Sequence, residues 1–382
     1  MKPKIAHFRE TFLPLSETFI HQFLTNTPQS EPYAITFERR NEEVFPFEPV
    51  HLLAYPGQLT TARITASLRR RLLGDQLAAS VDGPLTDELR KHRPDVVHAH
   101  FGPEGVRVLP ACRRLKIPLV VSFYGFDLST NMKSDIWRKA YQELFLYASA
   151  VVSLSDDFSQ RLITGGCSPE KVHMIRIGTD LSRFTYSEHT VHPEYLNLLG
   201  VARLVQKKGT EYLLEALAIA KKEIPALKYR HIGGGPLDAE LRAKCTALGL
   251  DDVVTWLGAQ PTNVVLEEMR KADALIVPSV TADNGDTEGI PGVIYEAMAL
   301  GLTVVASRHA GIPEVIVDNV TGFLADEKDS YGLARAVMSL HRYSFRTESM
   351  KLAARKFIEE KANSVMCGQQ LDKIYADICT SK

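Results

Sequence analysis

The stretch Glu288-Gly289-Ile290-Pro291-Gly292-Val293-Ile294-Tyr295-Glu296 follows an apolar, strand-like run, Ala274-Leu275-Ile276-Val277. Proline suits the first turn of a helix and glycine its C-terminal end, so Pro291 and Gly301 bracket a predicted helix. The reading is strand, loop, helix, with Glu288 in the loop and Glu296 on the helix behind it. A helix N-terminus beside a glycine-containing loop attracts phosphate. Two carboxylates there, eight positions apart, can accept hydrogen bonds from sugar hydroxyls. An anion site next to a polyol site points to a nucleotide-sugar pocket.

Outward from this stretch the same alternation recurs. Short apolar runs are separated by longer helical patterns, the mark of an α/β architecture with parallel sheets. Runs beginning at Lys4, Val96, Leu119 and Ala150 read as strands of a first sheet. Runs beginning at Leu196, Lys228, Val253, Ala274 and Thr303 read as strands of a second. The segment from Thr179 to Pro193 is polar and poorly periodic and reads as the domain linker. The expected division is 1–180, 181–363 and a last helical stretch at 364–382.

A chain of 382 residues is long enough for two domains with their own cores. Lys+Arg 45 against Asp+Glu 46 leaves a net charge of -1, so nothing global favours nucleic acid and anions must be held by local sites. The cysteines Cys112, Cys167, Cys245, Cys367 and Cys379 are scattered without a C-x-x-C pair. That fits a reducing cytosol and argues against a disulfide scaffold or a zinc site. No apolar run reaches the roughly 18 residues of a membrane span, and Met1 to Lys4 leads into a strand without a signal-peptide core. A soluble, cytoplasmic protein is expected. Arg69-Arg70-Arg71 lies in a helical pattern with Ile64, Leu68, Leu72 and Leu73. Such a basic amphipathic face either lies on an anionic membrane, as a peripheral contact, or faces solvent.

In the second half, Arg203 would leave the first strand and Lys208 would start the next helix. The ends of strands in open α/β sheets face the ligand crevice, and two cations there can hold a diphosphate and neutralise it as it leaves. Neither a D-x-D motif nor a His/Asp cluster is present for a metal, so no metal and no cofactor is expected. Fixed cations and helix dipoles would take that part. Taken singly, each cation reads equally as a surface ion pair. Gly233-Gly234-Gly235 lets a backbone approach a phosphate or another loop; a plain strand-to-helix turn explains it as well. It does not match G-x-G-x-x-G, and the first strand ends without glycines at Phe8-Arg9-Glu10, which disfavours a nicotinamide-binding dehydrogenase. Asp283-Asn284-Gly285-Asp286 lacks the spacing of a calcium loop and reads as a polar turn.

In the first half, Ser16 is a good N-cap for a helix whose apolar face holds Phe19, Ile20, Phe23 and Leu24. Glu17 has no evident core role and is expected to face the cleft. His98-Ala99-His100 ends one strand and Ser122-Phe123-Tyr124-Gly125-Phe126-Asp127 ends another. His100, Tyr124 and Asp127 are therefore candidates for an acceptor side, with a buried strand histidine the preferred reading of His98 and a helix cap the competing reading of Asp127.

Taken together these residues resemble glycosyltransferase family 4, the retaining enzymes of GT-B fold with two Rossmann-like domains. The resemblance is carried by Arg203 with Lys208-Gly209, by Gly233 to Gly235, by Glu288 to Gly301 and by Gly311-Ile312-Pro313-Glu314. The first half is similar to a narrower group acting in colanic acid and exopolysaccharide assembly, through Leu15 to Ile20, His98 to Gly102 and Tyr124 to Asp127. The resemblance implies that the final helix crosses back to the first domain. It implies that Arg203 and Lys208 bind and stabilise the donor diphosphate, that Glu288 orients the sugar, and that Glu296 binds the ribose. Gly289, Ile290, Pro291 and Gly292 would contact sugar and phosphates through their backbone. Ser16, Glu17, His100, Tyr124 and Asp127 would line the acceptor side. The implied partners are a nucleoside diphosphate sugar (UDP- or GDP-linked) and a saccharide or lipid-linked acceptor. Many members carry histidine where this chain has Tyr124, and a phenol cannot hold imidazolium charge near neutral pH. Two alternatives share the architecture: a nucleotide-sugar epimerase, and a non-catalytic scaffold that binds nucleotide sugar.

Overall fold

The chain is described from a computed structural model over residues 2–14, 17–54, 74–188, 194–343 and 347–380, with 74–81 as backbone only. Ser16, Arg69, Arg70 and Arg71 lie outside the described residues. The chain divides into two compact units, Met1–Gly178 with Ser364–Lys382, and Thr179–Asn363.

The first unit is built on a seven-stranded parallel sheet. Its strands run in the order Val50–Leu52, Glu31–Thr36, Lys4–Phe8, Val96–His100, Leu119–Ser122, Ala150–Ser153, Val172–Met174. The central strands are Val- and Leu-rich because a parallel sheet covered on both faces must be apolar on both. Alternation sends Ala6, Phe8, Val97 and Ala99 into one core and Ile5 and Val96 into the other. The helix Ser364–Thr380 covers that second face with Cys367, Leu371, Ile374 and Tyr375, against Ile5, Phe23, Val96, Val120 and Val152. Asp372 fixes its register by accepting from the Gln29 N–H and the Ser30 hydroxyl, both at 2.8 Å.

The second unit is built on a six-stranded parallel sheet. The order is Val254–Gly258, Leu227–Ile232, Leu196–Val201, Ala274–Val277, Thr303–Ser307, Phe323–Ala325. In each sheet the chain first builds outward on one side and then on the other. The order reverses between Lys4–Phe8 and Val96–His100 in one, and between Leu196–Val201 and Ala274–Val277 in the other. Crevices open at such switch points.

The linker reading of Thr179 to Pro193 is corrected for its described part. Thr179 bridges to Asn363, Phe184 is buried, and Tyr186 fills the space above Gly301. Arg355 donates to the carbonyls of Phe184 and Ala299, at 2.9 and 2.7 Å. Isolated aromatics in a polar run have no periodicity, so their burial is invisible in the sequence. The short strands Val50–Leu52, Val172–Met174 and Phe323–Ala325 escape for the same reason.

Gly368 lets the final helix approach the turn after the helix Thr18–Thr25. An added Cβ would sit 1.9 Å from the Asn26 carbonyl oxygen. Gly368→Ala should therefore destabilise the first unit by about 1–3 kcal/mol, the usual cost of overpacking, read as a lowered midpoint in chemical unfolding.

Candidate functional site

In the second unit, the 3₁₀ turn Gln206–Lys208 follows the strand Leu196–Val201 and precedes the helix Thr210–Ala220. Gly209 ends the turn with φ 63°, and an added Cβ would meet the Pro278 carbonyl oxygen at 1.9 Å. Only glycine lets the turn seat on the chain that leaves the strand Ala274–Val277. The Val280 N–H completes the docking by donating to the Lys207 carbonyl at 2.9 Å.

That docking brings two ammonium groups onto one carboxylate. Lys208 Nζ lies 2.9 Å from Glu288 Oε2, and Lys207 Nζ lies 3.2 Å from Glu288 Oε1 and 3.0 Å from Asp286 Oδ2. Burial pushes the Glu288 carboxyl up, but Lys208 and Lys207 outweigh it and hold its pKa at about 2. The Glu288 N–H donates to His309 Nε2 at 3.1 Å, and His309 Nδ1 lies 2.5 Å from Glu327 Oε1. This assigns the proton of a neutral His309 to Nδ1. Burial raises the Glu327 carboxyl, while the Thr281 N–H and His309 outweigh it and lower it.

Arg203 is exposed, and its guanidinium has no hydrogen bond or ion pair among the described residues. The structure thus joins Lys208 to Glu288 and leaves Arg203 apart as a free cation. The glycine run has a local explanation for two of its three members. Added Cβ atoms on Gly233 and Gly235 would meet the carbonyl oxygens of Ala202 and Leu204 at 1.9 and 2.4 Å, whereas Gly234 has open space. Gly233 and Gly235 therefore let this turn pack against the loop that carries Arg203.

Pro291 is the N-cap of the helix Gly292–Leu300, and Gly301 closes it at φ 81°. Gly289, Ile290 and Pro291 are buried at the helix entry, and Gly292 has open space where a Cβ would be. The first N–H groups of any helix lack partners within it, so this entry is a donor site. Beside it a cavity of ≈ 10 Å³, lined by Gly200, Lys208, His231, Ser279 and Pro291, has room for about one water. The Ser279 hydroxyl is fully buried there without a hydrogen-bond partner among the described residues. Glu296 is half-buried on the helix; burial raises its carboxyl to about 7, with Arg183 opposing.

In the first unit, the strand Lys4–Phe8 delivers Arg9 to the switch point. Arg9 pairs with Glu17 through two bonds of 3.1 and 2.7 Å and with Glu104 at 2.7 Å, and its guanidinium lies 4.4 Å from the centre of the Phe101 ring. Arg107 joins Glu104 to Glu10, each at 3.2 Å. The expectation that Glu17 faces the cleft without a core role is corrected: it is buried, and a carboxylate out of water needs such a cation. Phe101 holds φ 80°, a strained value for a residue with a side chain. The helix here starts at Thr18, with Glu17 at its cap position and no side-chain cap bond.

His100 is also buried. Its Nδ1 lies 2.7 Å from the Tyr124 hydroxyl and its Nε2 lies 3.0 Å from His7 Nδ1. His98 bridges Ser122 and Tyr375 at 2.7 and 2.6 Å. Burial lowers His7 to about 3 and holds His98 and His100 well below their ordinary value, so all three are neutral at pH 7. Asp127 is fully buried. Its carboxylate accepts from the N–H groups of Gly102, Tyr124 and Gly125 at 2.7 to 3.2 Å. It shapes the strand-end loops, as the competing reading of a backbone-capping carboxylate has it. Tyr124, half-buried and packed on Phe19 and Phe101 at 4.6 and 4.7 Å between ring centres, is the member of this group nearest to solvent.

Sequence reasoning missed Lys207, Asp286, His309, Glu327 and Ser279 in the second unit, and Arg9, Glu104, Arg107 and His7 in the first. Lys207 and Lys208 are adjacent and alike in type, so nothing in the sequence separates their partners.

Two family models divide the chain between them: Glycosyltransferase Family 4 matches residues 42–183 and Glycosyl transferases group 1 matches residues 185–357. The Salmonella typhimurium protein named for colanic acid biosynthesis, WcaL, is 33% identical over 312 residues, covering 81% of this chain and 75% of that protein. The amylovoran biosynthesis glycosyltransferase AmsK of Erwinia amylovora is 35% identical over 283 residues, covering 73% of this chain and 69% of that protein. Among solved structures, Anabaena HepE in complex with UDP superposes with TM-score 0.80 at 21% identity, over 98% of this chain and 100% of that one. Sucrose-phosphate synthase from Thermosynechococcus elongatus gives 0.78 at 17% identity, over the whole of both chains. The chain belongs to the family 4, group 1 glycosyltransferases and has their GT-B fold. It is a glycosyltransferase with exopolysaccharide-biosynthesis relatives, and neither the epimerase nor the scaffold reading finds support in these matches.

Ionising Glu296 is harder in the folded chain than in the unfolded one, where its pKa is near 4.5. Its contribution to stability is therefore full below about pH 4.5 and is lost as pH rises through about 7. Glu296→Gln should gain stability relative to the parent between pH 5 and pH 8, by at most about 3 kcal/mol, measured by urea unfolding at each pH.

Proposed function

We propose that this glycosyltransferase takes a nucleoside diphosphate sugar as donor. It moves the sugar, with retention at the anomeric carbon, to a hydroxyl of a saccharide or lipid-linked oligosaccharide in exopolysaccharide assembly. The observation that carries this reading is the pair of lysines on Glu288, four residues before the helix Gly292–Leu300. A diphosphate competes with Glu288 for Lys208. Once it binds, Glu288 Oε2 is released to accept hydrogen bonds from the donor sugar, while Lys207 still holds Oε1. Arg203, Lys208 and the helix N–H groups then oppose the charge that builds on the leaving phosphate. The bond from the anomeric carbon to the phosphate oxygen breaks with its electron pair on that oxygen. The acceptor oxygen bonds to the carbon on the same face, and its proton passes to the departing phosphate oxygen.

The proposed donor contacts also include the backbone at Gly289, Ile290, Pro291 and Gly292, and that at Gly234. Glu296 accepts from the ribose hydroxyls, and Tyr124 belongs to the acceptor side. The UDP complex of the structurally similar HepE supports a nucleotide donor, and the names of WcaL and AmsK support an exopolysaccharide product. No helix among the described residues is long and apolar enough to cross a membrane. Contact with an anionic membrane through Arg69, Arg70 and Arg71, on the cytoplasmic face, is part of the proposal and rests on their basic amphipathic pattern.

The test is turnover with a donor chosen by thermal-shift screening of nucleotide sugars. Lys208→Ala should lower kcat by about 10²–10³, the range for losing one transition-state stabiliser; unchanged turnover would refute the assignment. Nucleoside diphosphate should also bind more weakly as pH falls below about 7, by up to about tenfold per unit, because Glu296 must be ionised to accept two hydroxyl protons. Glu296→Gln should flatten that dependence in calorimetric titrations; an unchanged slope would remove Glu296 from the ribose site.

A further inference from the structure

Two clusters in the first unit have metal-ligand chemistry: His7 with His98 and His100, and His51 with Glu88 and His92. The first is closed. Both ring nitrogens of His98 and of His100 already have partners within 3.0 Å, and all three side chains are buried. An ion there would have to break the hydrogen bonds that make the burial of these rings tolerable.

The second cluster is less buried. His51 lies on the edge strand Val50–Leu52, and its residue is half-buried. Glu88 and His92 lie one turn apart on the helix Gly74–His92, and that spacing puts them on one face. A single oxygen, Glu88 Oε1, sits 2.8 Å from His92 Nε2 and 3.5 Å from His51 Nδ1. His92 Nε2 is shielded from solvent, and the short approach to Glu88 does not have the geometry of a hydrogen bond, so the nitrogen has none. The two imidazole rings are 4.0 Å apart with a tilt of 34°, and Tyr33 packs against both. One ligand atom from each of the three residues lies within 4.8 Å of the others. Ligands on a tetrahedral zinc ion, at about 2.0–2.2 Å from it, lie roughly 3.3 Å from one another. Side-chain rotations on the order of an ångström bring this set together.

We infer that His51, Glu88 and His92 bind one divalent transition-metal ion of the zinc type, which pins the edge strand Val50–Leu52 to the helix Gly74–His92. Two imidazoles and a carboxylate suit zinc, cobalt or nickel rather than calcium or magnesium. Three protein ligands leave a fourth position for water. The site belongs to the first unit and the Lys208–Glu288 cluster to the second, and the two share no residue, so the inference does not depend on the donor assignment. Two neighbouring cations temper it. Lys91 Nζ is 3.7 Å from Glu88 Oε1 but exposed and able to swing out, and Lys4 Nζ is anchored on the His92 carbonyl at 3.0 Å. They oppose a further positive charge, so micromolar rather than nanomolar affinity is expected.

The test uses the full chain, stripped with a chelator, and Zn²⁺ alone as the probe. The parent should bind one equivalent that is lost in His51→Ala, in His92→Ala and in Glu88→Gln, and Zn²⁺ should raise the thermal midpoint of the parent only. Midpoints measured in chelator show whether each variant is folded. Retention of the full stoichiometry in a folded His51→Ala/His92→Ala double variant overturns the inference, as does a parent that binds no Zn²⁺. Should the variants not fold, Co²⁺ added to the parent decides. A visible spectrum of four-coordinate cobalt with nitrogen and oxygen ligands supports the site. A thiolate charge-transfer band, or a six-coordinate spectrum, rejects it.

Discussion

The site in the second unit depends on one close approach, that of the turn at Gly209 to the Pro278 carbonyl. A side chain at Gly209 would hold the turn away from the strand end, and both lysines would lose their common partner. With glycine there, two ammonium groups share a carboxylate that is largely out of water. The pairing offsets the desolvation of all three charges, and it leaves the carboxylate ionised over the whole working pH range. A cluster of this kind is poised for exchange, because an incoming anion can take one lysine without leaving the carboxylate unpaired.

The two glutamates of the motif that opens the sequence reading have opposite electrostatics for identifiable reasons. Glu288 faces two lysines and has its pKa at about 2; Glu296, half-buried with Arg183 opposing its desolvation, has its pKa at about 7. Environments that drive paired titratable groups apart commonly divide the tasks between them. One carboxylate is a permanent acceptor already ordered by its cations. The other gains its charge near neutrality and needs a partner to keep it.

The first unit solves a different problem. Its switch point carries Arg9, Glu10, Glu17, Glu104 and Arg107 in one network and a set of neutral histidines beneath. Each buried charge is matched, and His98 and His100 use both ring nitrogens. Polar groups so fully engaged specify the arrangement of the strand ends rather than a contact surface. Tyr124 is the outer end of that chain, with His100 behind its hydroxyl.

The sequence alone determined the repeating α/β order, the two parallel sheets, the helix Gly292–Leu300 with its glycine end, and which charged residue types stand at Arg203, Lys208, Glu288 and Glu296. These depend on periodicity, on proline and glycine at helix ends, and on residue type, all of which are local. Tertiary structure alone decided which charges meet. Lys208 meets Glu288 while Arg203 makes no ion pair among the described residues, Glu17 is matched by Arg9, Asp127 serves three backbone N–H groups, and His51 comes to face a helix far along the chain. Burial of an isolated aromatic such as Phe184, and pairing between distant charges, leave no periodic trace in the chain. They arise from the packing of several elements at once, which no single stretch of sequence encodes.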